Sequence, residues 1–205
     1  MSSFTSQEQR FLLDLARRAI ATALMGSALH PDALAGALPS DALRLPGAAF
    51  VTVRKQGGRL RGCVGVVQPK PLYQAIASAA LSAALRDPRF PPVTPEELPG
   101  LEIEISLLSP FFPITPEELQ VGEHGLLVSD GFHRGLLLPQ VAREMGWDRE
   151  RFLEEACLKA GLARTAWKEG AKLEAFTAVV FSETTVSAEA PLDAARGEPA
   201  GKPQP

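Results

Sequence analysis

Between Ala48 and Val67 the chain reads AAFVTVRKQGGRLRGCVGVV, two β-branched stretches on either side of Gln56-Gly57-Gly58. Paired glycines tolerate the positive φ of a tight hairpin turn, so this stretch predicts two antiparallel strands. A second hairpin is expected where Gly125–Ser129 and Arg134–Leu138 bracket DGFHR. LEIEISLLS alternates, with Ile103, Ile105 and Leu107 on one face and Glu102, Glu104 and Ser106 on the other, as a half-buried strand does. LEAFTAVVFSE supplies a last strand. Strands that arrive as hairpins, with helices clustered between them, predict an α+β fold: a mainly antiparallel sheet with packed helices, rather than a doubly wound parallel one.

The helices have their own signals. Thr5-Ser6-Gln7-Glu8 has the form of a capping box and opens an amphipathic helix over about residues 6–25. KPLYQAIASAALSAALRD is alanine-rich, as a helix packed closely on a sheet needs, and Pro71 suits its first turn. Two further helices are expected near Pro139–Met145 and Asp148–Ala160, with Asp148 as N-cap and Gly161 as C-cap. The segment before Ala48 reads as a connector, and DPRFPPVTPEEL as a stiff ordered loop. At 205 residues and 45% hydrophobic content the chain can bury a sizeable core, as one domain or one domain with two lobes. The domain is expected to span residues 5–185, and 186–205, rich in Pro, Gly and Ala, to form a disordered tail.

Several function classes are disfavoured. A net charge of −3 and a pI near 5.7 give no overall electrostatic drive towards nucleic acid. Two distant cysteines do not make a disulfide framework, and three histidines without ligand spacing do not make a structural zinc site, so no metal is expected. No run approaches 18 apolar residues and no export signal is legible, which predicts a cytoplasmic protein without a membrane span. GxGxxG, phosphate-loop, HExxH and GxSxG patterns are absent.

The chemistry-bearing candidate is Cys63 in LRGCVG. Strict alternation puts Leu60, Val64 and Val66 towards the core and Arg59, Arg61 and Cys63 on the opposite face, with Arg61 roughly 7 Å along the strand from Cys63. A cation at that range lowers a thiol pKa, and Gly62 and Gly65 clear space for a ligand to approach. The competing reading is that Cys63 packs as a small hydrophobe, as Cys157 is expected to do on its helix. Arg54, Lys55, Arg59 and Arg61 form either an anion site or a solvated strand edge. Asp87 and Arg89 are placed to pair and hold their loop. Glu102 and Glu104 suit a solvated face, and His124 is either a base or a loop imidazole bonded to backbone.

LRGCVG, DPRFPPV after an alanine-rich helix, EIEISLLSP, EHGLLV and LLLPQVAREMGWDRERFLEEACLKAGL occur in that order. That succession resembles the AMMECR-domain family, most closely its bacterial branch called AmmeMemoRadiSam system protein A, over roughly residues 6–184. The resemblance implies an intracellular α+β protein with two lobes forming a cleft, LRGCVG at its functional centre, and a Memo-like protein and a radical-SAM protein as company. It brings no established reaction and no known cofactor. The motif positions include Arg61, Gly62, Cys63, Gly65, Asp87, Arg89, Glu104, Ser106, His124 and Gln140. On an enzymatic reading Cys63 is a nucleophile or redox thiol and His124 a proton carrier. Arg61, Gly62, Gly65, Asp87, Arg89, Glu104 and Gln140 would then bind a small-molecule substrate. On the alternative reading the same cleft is a non-catalytic binding module and Cys63 is structural.

Overall fold

A computed structural model describes residues 4–27, 30–68 and 70–188. Helix α1 (Ser6–Leu24) starts on the expected capping box: the Thr5 hydroxyl accepts from the Glu8 N–H, and the Glu8 carboxylate accepts from the Thr5 N–H. After two short 3₁₀ turns come the hairpin strands β1 (Ala48–Lys55) and β2 (Leu60–Val66), then α2 (Leu72–Leu85) and β3 (Leu101–Leu108). The chain continues through β4 (Phe112–Pro113), the hairpin β5 (Gly125–Ser129) and β6 (Arg134–Leu137), and helices α3 (Pro139–Met145) and α4 (Arg149–Lys159). It closes with β7 (Lys172–Phe176), β8 (Ala178–Ser182) and α5 (Glu183–Ala188).

The strands form two four-stranded sheets, ordered β2-β1-β3-β8 and β4-β7-β5-β6, with every pairing antiparallel. The fold is α+β as expected, built on two sheets rather than one. The expected single last strand is two strands in different sheets, separated only at Thr177. Its largely apolar run, interrupted between Ala175 and Phe181 only by Thr177, hides the crossing, because each half is buried by a different core. The first sheet packs one face on α1 and α2 through Ala49, Val51, Val53, Ile103, Ile105 and Leu107. The second packs Leu126 and Val128 on α4, where Phe152, Leu153, Ala156 and Cys157 are buried. A third cluster, Leu108, Leu138 and Phe176 with Phe50, Phe111, Leu136 and Val141 against it, joins the two lobes.

Two expectations about chain position are corrected. Leu60, assigned to the core, is 37% exposed, because the register slips between Val53 and Arg54 and ends the regular alternation there. The expected tail begins too early: α5 runs through residue 188 and buries Val186, an apolar position sequence composition overlooked. The rest of that tail, residues 189–205, lies outside the described residues. No helix among the described residues is long and apolar enough to cross a membrane.

Candidate functional site

The face of the first sheet turned away from α1 and α2 carries a polar row. Cys63 of β2 stands opposite Thr52 of β1, Thr52 opposite Glu104 of β3, and Glu104 opposite Ser182 of β8, so one row crosses all four strands. Thr52 and Ser182 are buried, at 4% and 8% exposure. The Thr52 hydroxyl donates to Cys63 Sγ at 3.3 Å. Arg54 meets Glu104 at 3.4 Å and Glu144 of α3 at 4.0 Å. Gln140, also on α3, donates to the Ser106 hydroxyl at 3.4 Å. Helix α3 therefore lies over the row and makes a shelf between the lobes.

Cys63 is partly buried, and its backbone is held from outside the sheet. Its N–H donates to Asp87 Oδ2 at 2.9 Å and its C=O accepts from Arg89 Nη2 at 3.2 Å. These two bonds do for the edge of β2 what a neighbouring strand would do. Asp87 is 4% exposed and accepts from the Arg89 backbone, Nε and Nη2 besides Cys63. The Arg89 guanidinium holds its carboxyl well below the usual range. The expected Asp87–Arg89 pairing thus braces the loop against Cys63.

Arg61 is placed differently from the expectation. Its guanidinium is turned away from the sulfur, bonded to Glu97 at 2.8 and 3.0 Å and to the carbonyls of Pro91 and Pro92 at 2.8 and 3.2 Å. Its side chain is 6% exposed. With Lys55 also on Glu97, the Glu97 carboxyl is lowered to about 2, first by Arg61. Arg61 is a loop anchor, with four of the five guanidinium N–H donors engaged in holding the loop. Alternation could not show this, because the partners come from a loop thirty residues away.

The thiol follows suit. Burial pushes the Cys63 pKa up, and the carboxylates of Asp87 and Glu104 push the same way; the Thr52 hydroxyl and the Arg89 guanidinium pull against them without prevailing. The expected cation effect exists but comes from Arg89. Gly62 and Gly65 are both required by packing. A Cβ on Gly62 would lie 2.0 Å from the Ala83 carbonyl oxygen of α2, and one on Gly65 2.3 Å from the Phe50 ring. His124 sits in the second lobe before β5; its Nδ1 accepts from the Gln120 N–H at 3.3 Å and its ring meets Phe112 edge-on. None of these contacts reaches Cys63, so the structure brings Cys63, Asp87, Arg89, Glu104 and Gln140 into one region and leaves His124 out of it. Thr52, Ser182 and Glu144 are residues of this region that sequence reasoning missed, while Arg54, expected at an anion site or a strand edge, is found paired with Glu104. Strand register would have nominated Thr52, whose polarity breaks the apolar run of its strand only on this face. Cys157 is fully buried and burial raises its pKa, as a core thiol's should be.

The chain is similar to known proteins over most of its length. The AMMECR1 family model matches residues 13–181. A protein of Methanothermobacter thermautotrophicus is 44% identical over 187 residues, covering 86% of this chain and 94% of the relative. One from Thermofilum pendens is 42% identical over 206 residues, covering 90% and 94%. The crystal structure of an uncharacterized protein from Pyrococcus horikoshii superposes with a TM-score of 0.77 at 41% identity, covering 86% of this chain and 92% of that one.

Proposed function

The chain belongs to the AMMECR1 family, and on that premise we propose that it is a binding protein for a small polar ligand, seated on the row Cys63, Thr52, Glu104 and Ser182. The observation that supports this is the row itself. The hydroxyls of Thr52 and Ser182 are buried and already bonded, to Cys63 and Thr185, while Glu104, 20% exposed, and the partly buried Cys63 give the face under α3 polar groups that a solute can reach. A small polar ligand would hydrogen-bond to those two groups, with the buried hydroxyls fixing the geometry of the row. In this reading Cys63 is a neutral thiol that contributes a weak donor and a polarizable surface, and Asp87 and Arg89 hold it in place. Glu104 and Gln140 face the ligand from the sheet and from α3. Arg61, Gly62 and Gly65 build the scaffold, and His124 takes no direct part.

The reading extends, through the order of sequence motifs alone, to a cytoplasmic protein of the AmmeMemoRadiSam branch that acts beside a Memo-like protein and a radical-SAM protein. The relatives found are archaeal, so that branch and those partners rest on the resemblance.

Site-resolved alkylation of Cys63 as a function of pH tests the role of the thiol. Half-maximal reactivity at or above about pH 8.5, the ordinary thiol value, supports a binding role. A midpoint below about pH 7 would mean an activated thiolate and overturn it in favour of an enzyme. Ligand retained on the purified protein, measured by native mass spectrometry, should survive Cys63→Ser and be lost in Glu104→Gln. Loss in neither variant would place the ligand elsewhere.

A further inference from the structure

The bracing of β2 stops abruptly. Because the N–H and C=O of Cys63 point out of the sheet towards Asp87 and Arg89, those of Gly65, two residues on, point out as well. Neither meets a hydrogen-bond partner among the described residues. Past Gly65, Val67 forms one wall of an open, mainly apolar pocket of about 210 Å³, lined also by Pro46, Ala48, Leu108 and Phe111. A cavity of about 150 Å³ with apolar walls suffices for a benzene ring. On the other side of Gly65 stands Arg89, whose side chain is 53% exposed and whose Nη1 makes none of its described bonds to Asp87 or Cys63. An open pair of backbone groups therefore lies between a ring-sized, mainly apolar pocket and a half-exposed cation.

We propose that this edge of β2 binds the carboxy-terminal end of an extended peptide with an apolar side chain at the third position from its end. The site lies on the sheet's edge rather than its face, goes beyond the row proposed above, and stands or falls independently of it.

The geometry selects direction and register. A strand added antiparallel to β2 runs from Val67 towards Cys63, where Asp87 and Arg89 already occupy the backbone groups and stop further growth. The last peptide residue then lies opposite Gly65. Its N–H donates to the Gly65 C=O, one carboxylate oxygen accepts from the Gly65 N–H, and the other accepts from Arg89 Nη1. Side chains two residues apart share a face about 7 Å apart, so the third residue from the end lies opposite Val67 with its side chain over the cavity. A parallel strand would instead deliver an ammonium group beside the guanidinium, which charge disfavours.

The test uses the full chain and the fluorescein-labelled peptide Gly-Phe-Ala-Val, followed by fluorescence anisotropy. Amidation of its C-terminus and replacement of its Phe by Ala are each expected to weaken binding about tenfold or more, as loss of a charge-assisted bond or of a ring from its cavity does. These changes leave the protein untouched, so misfolding cannot imitate them. Val67→Trp, which fills the cavity, should weaken the Phe peptide and leave the Ala peptide unchanged. No binding by the free-acid peptide at millimolar protein, or equal binding by acid and amide, would overturn the proposal.

Discussion

At the scale of single residues, the site is governed by which charges are already satisfied. Asp87 is held well below its ordinary pKa by the Arg89 guanidinium, and Glu97 is held at about 2, first by Arg61. A depressed folded-state pKa means that the unfolded chain binds more protons, so the stability these groups contribute is complete above about pH 4.5 and is lost as pH falls towards 2. Urea unfolding across that window should show the loss, and Asp87→Asn with Glu97→Gln should flatten it; an unchanged slope would mean the two pairs are not maintained in solution. Gly62 gives a sharper prediction. Gly62→Ala brings a methyl against the Ala83 carbonyl and is expected to destabilise the fold by about 1–3 kcal/mol through displacement of α2, read as a lowered denaturation midpoint.

At the scale of elements, the loop from Arg86 to Glu97 is a strand substitute. It covers the edge of β2 with side chains and carbonyls, and Arg61 fastens its far end by four hydrogen bonds. Arg61→Ala leaves the Pro91 and Pro92 carbonyls unpaired. Amide exchange at Val93 and at Cys63 should quicken by about tenfold or more, since a charge-assisted network is worth more than 1.4 kcal/mol. Unchanged exchange would show that the loop holds without its anchor. Much of this was legible in sequence. Capping box, glycine turn, alanine-rich helix and the alternation of Ile103, Ile105 and Leu107 each have a local cause, and each is observed. What was not legible depends on distant partners. Alternation sets Arg61 beside Cys63 because it knows nothing of Glu97, and Gly62 and Gly65 read as space for a ligand because Ala83 and Phe50 are invisible from LRGCVG. The strand split at Thr177 was missed for the same reason: two cores bury what reads as one apolar run.

At the scale of the molecule, the lobes share a small contact in which Phe50 lies between Gly65 of one sheet and the Leu138 and Phe176 cluster of the other. Both tryptophans, Trp147 and Trp167, pack in the second lobe, while the long helices α1 and α2, of 19 and 14 residues, belong to the first. Indole fluorescence thus reports the second lobe, and helical circular dichroism mainly the first. In the parent protein the two unfolding curves should coincide. Phe50→Ala, costing about 3 kcal/mol or somewhat less for a half-buried ring, should separate them. Coincident curves in the variant would show that the lobes are coupled by something other than this cluster.

The chain leaves the first lobe at Ser109 and re-enters it at Thr177, and these two residues are bonded to each other: the Ser109 N–H donates to the Thr177 C=O and the Thr177 N–H to the Ser109 hydroxyl, both at 2.9 Å. Everything from Pro110 to Phe176 therefore hangs from one doorway, a contiguous insert whose two ends meet. Such an insert can be excised and the gap bridged by a short turn, or exchanged for another of different shape, without rethreading the sheet that carries Cys63. While it stays in place, its one doorway is also its pivot, so any rocking of α3 over the polar row turns about Ser109 and Thr177.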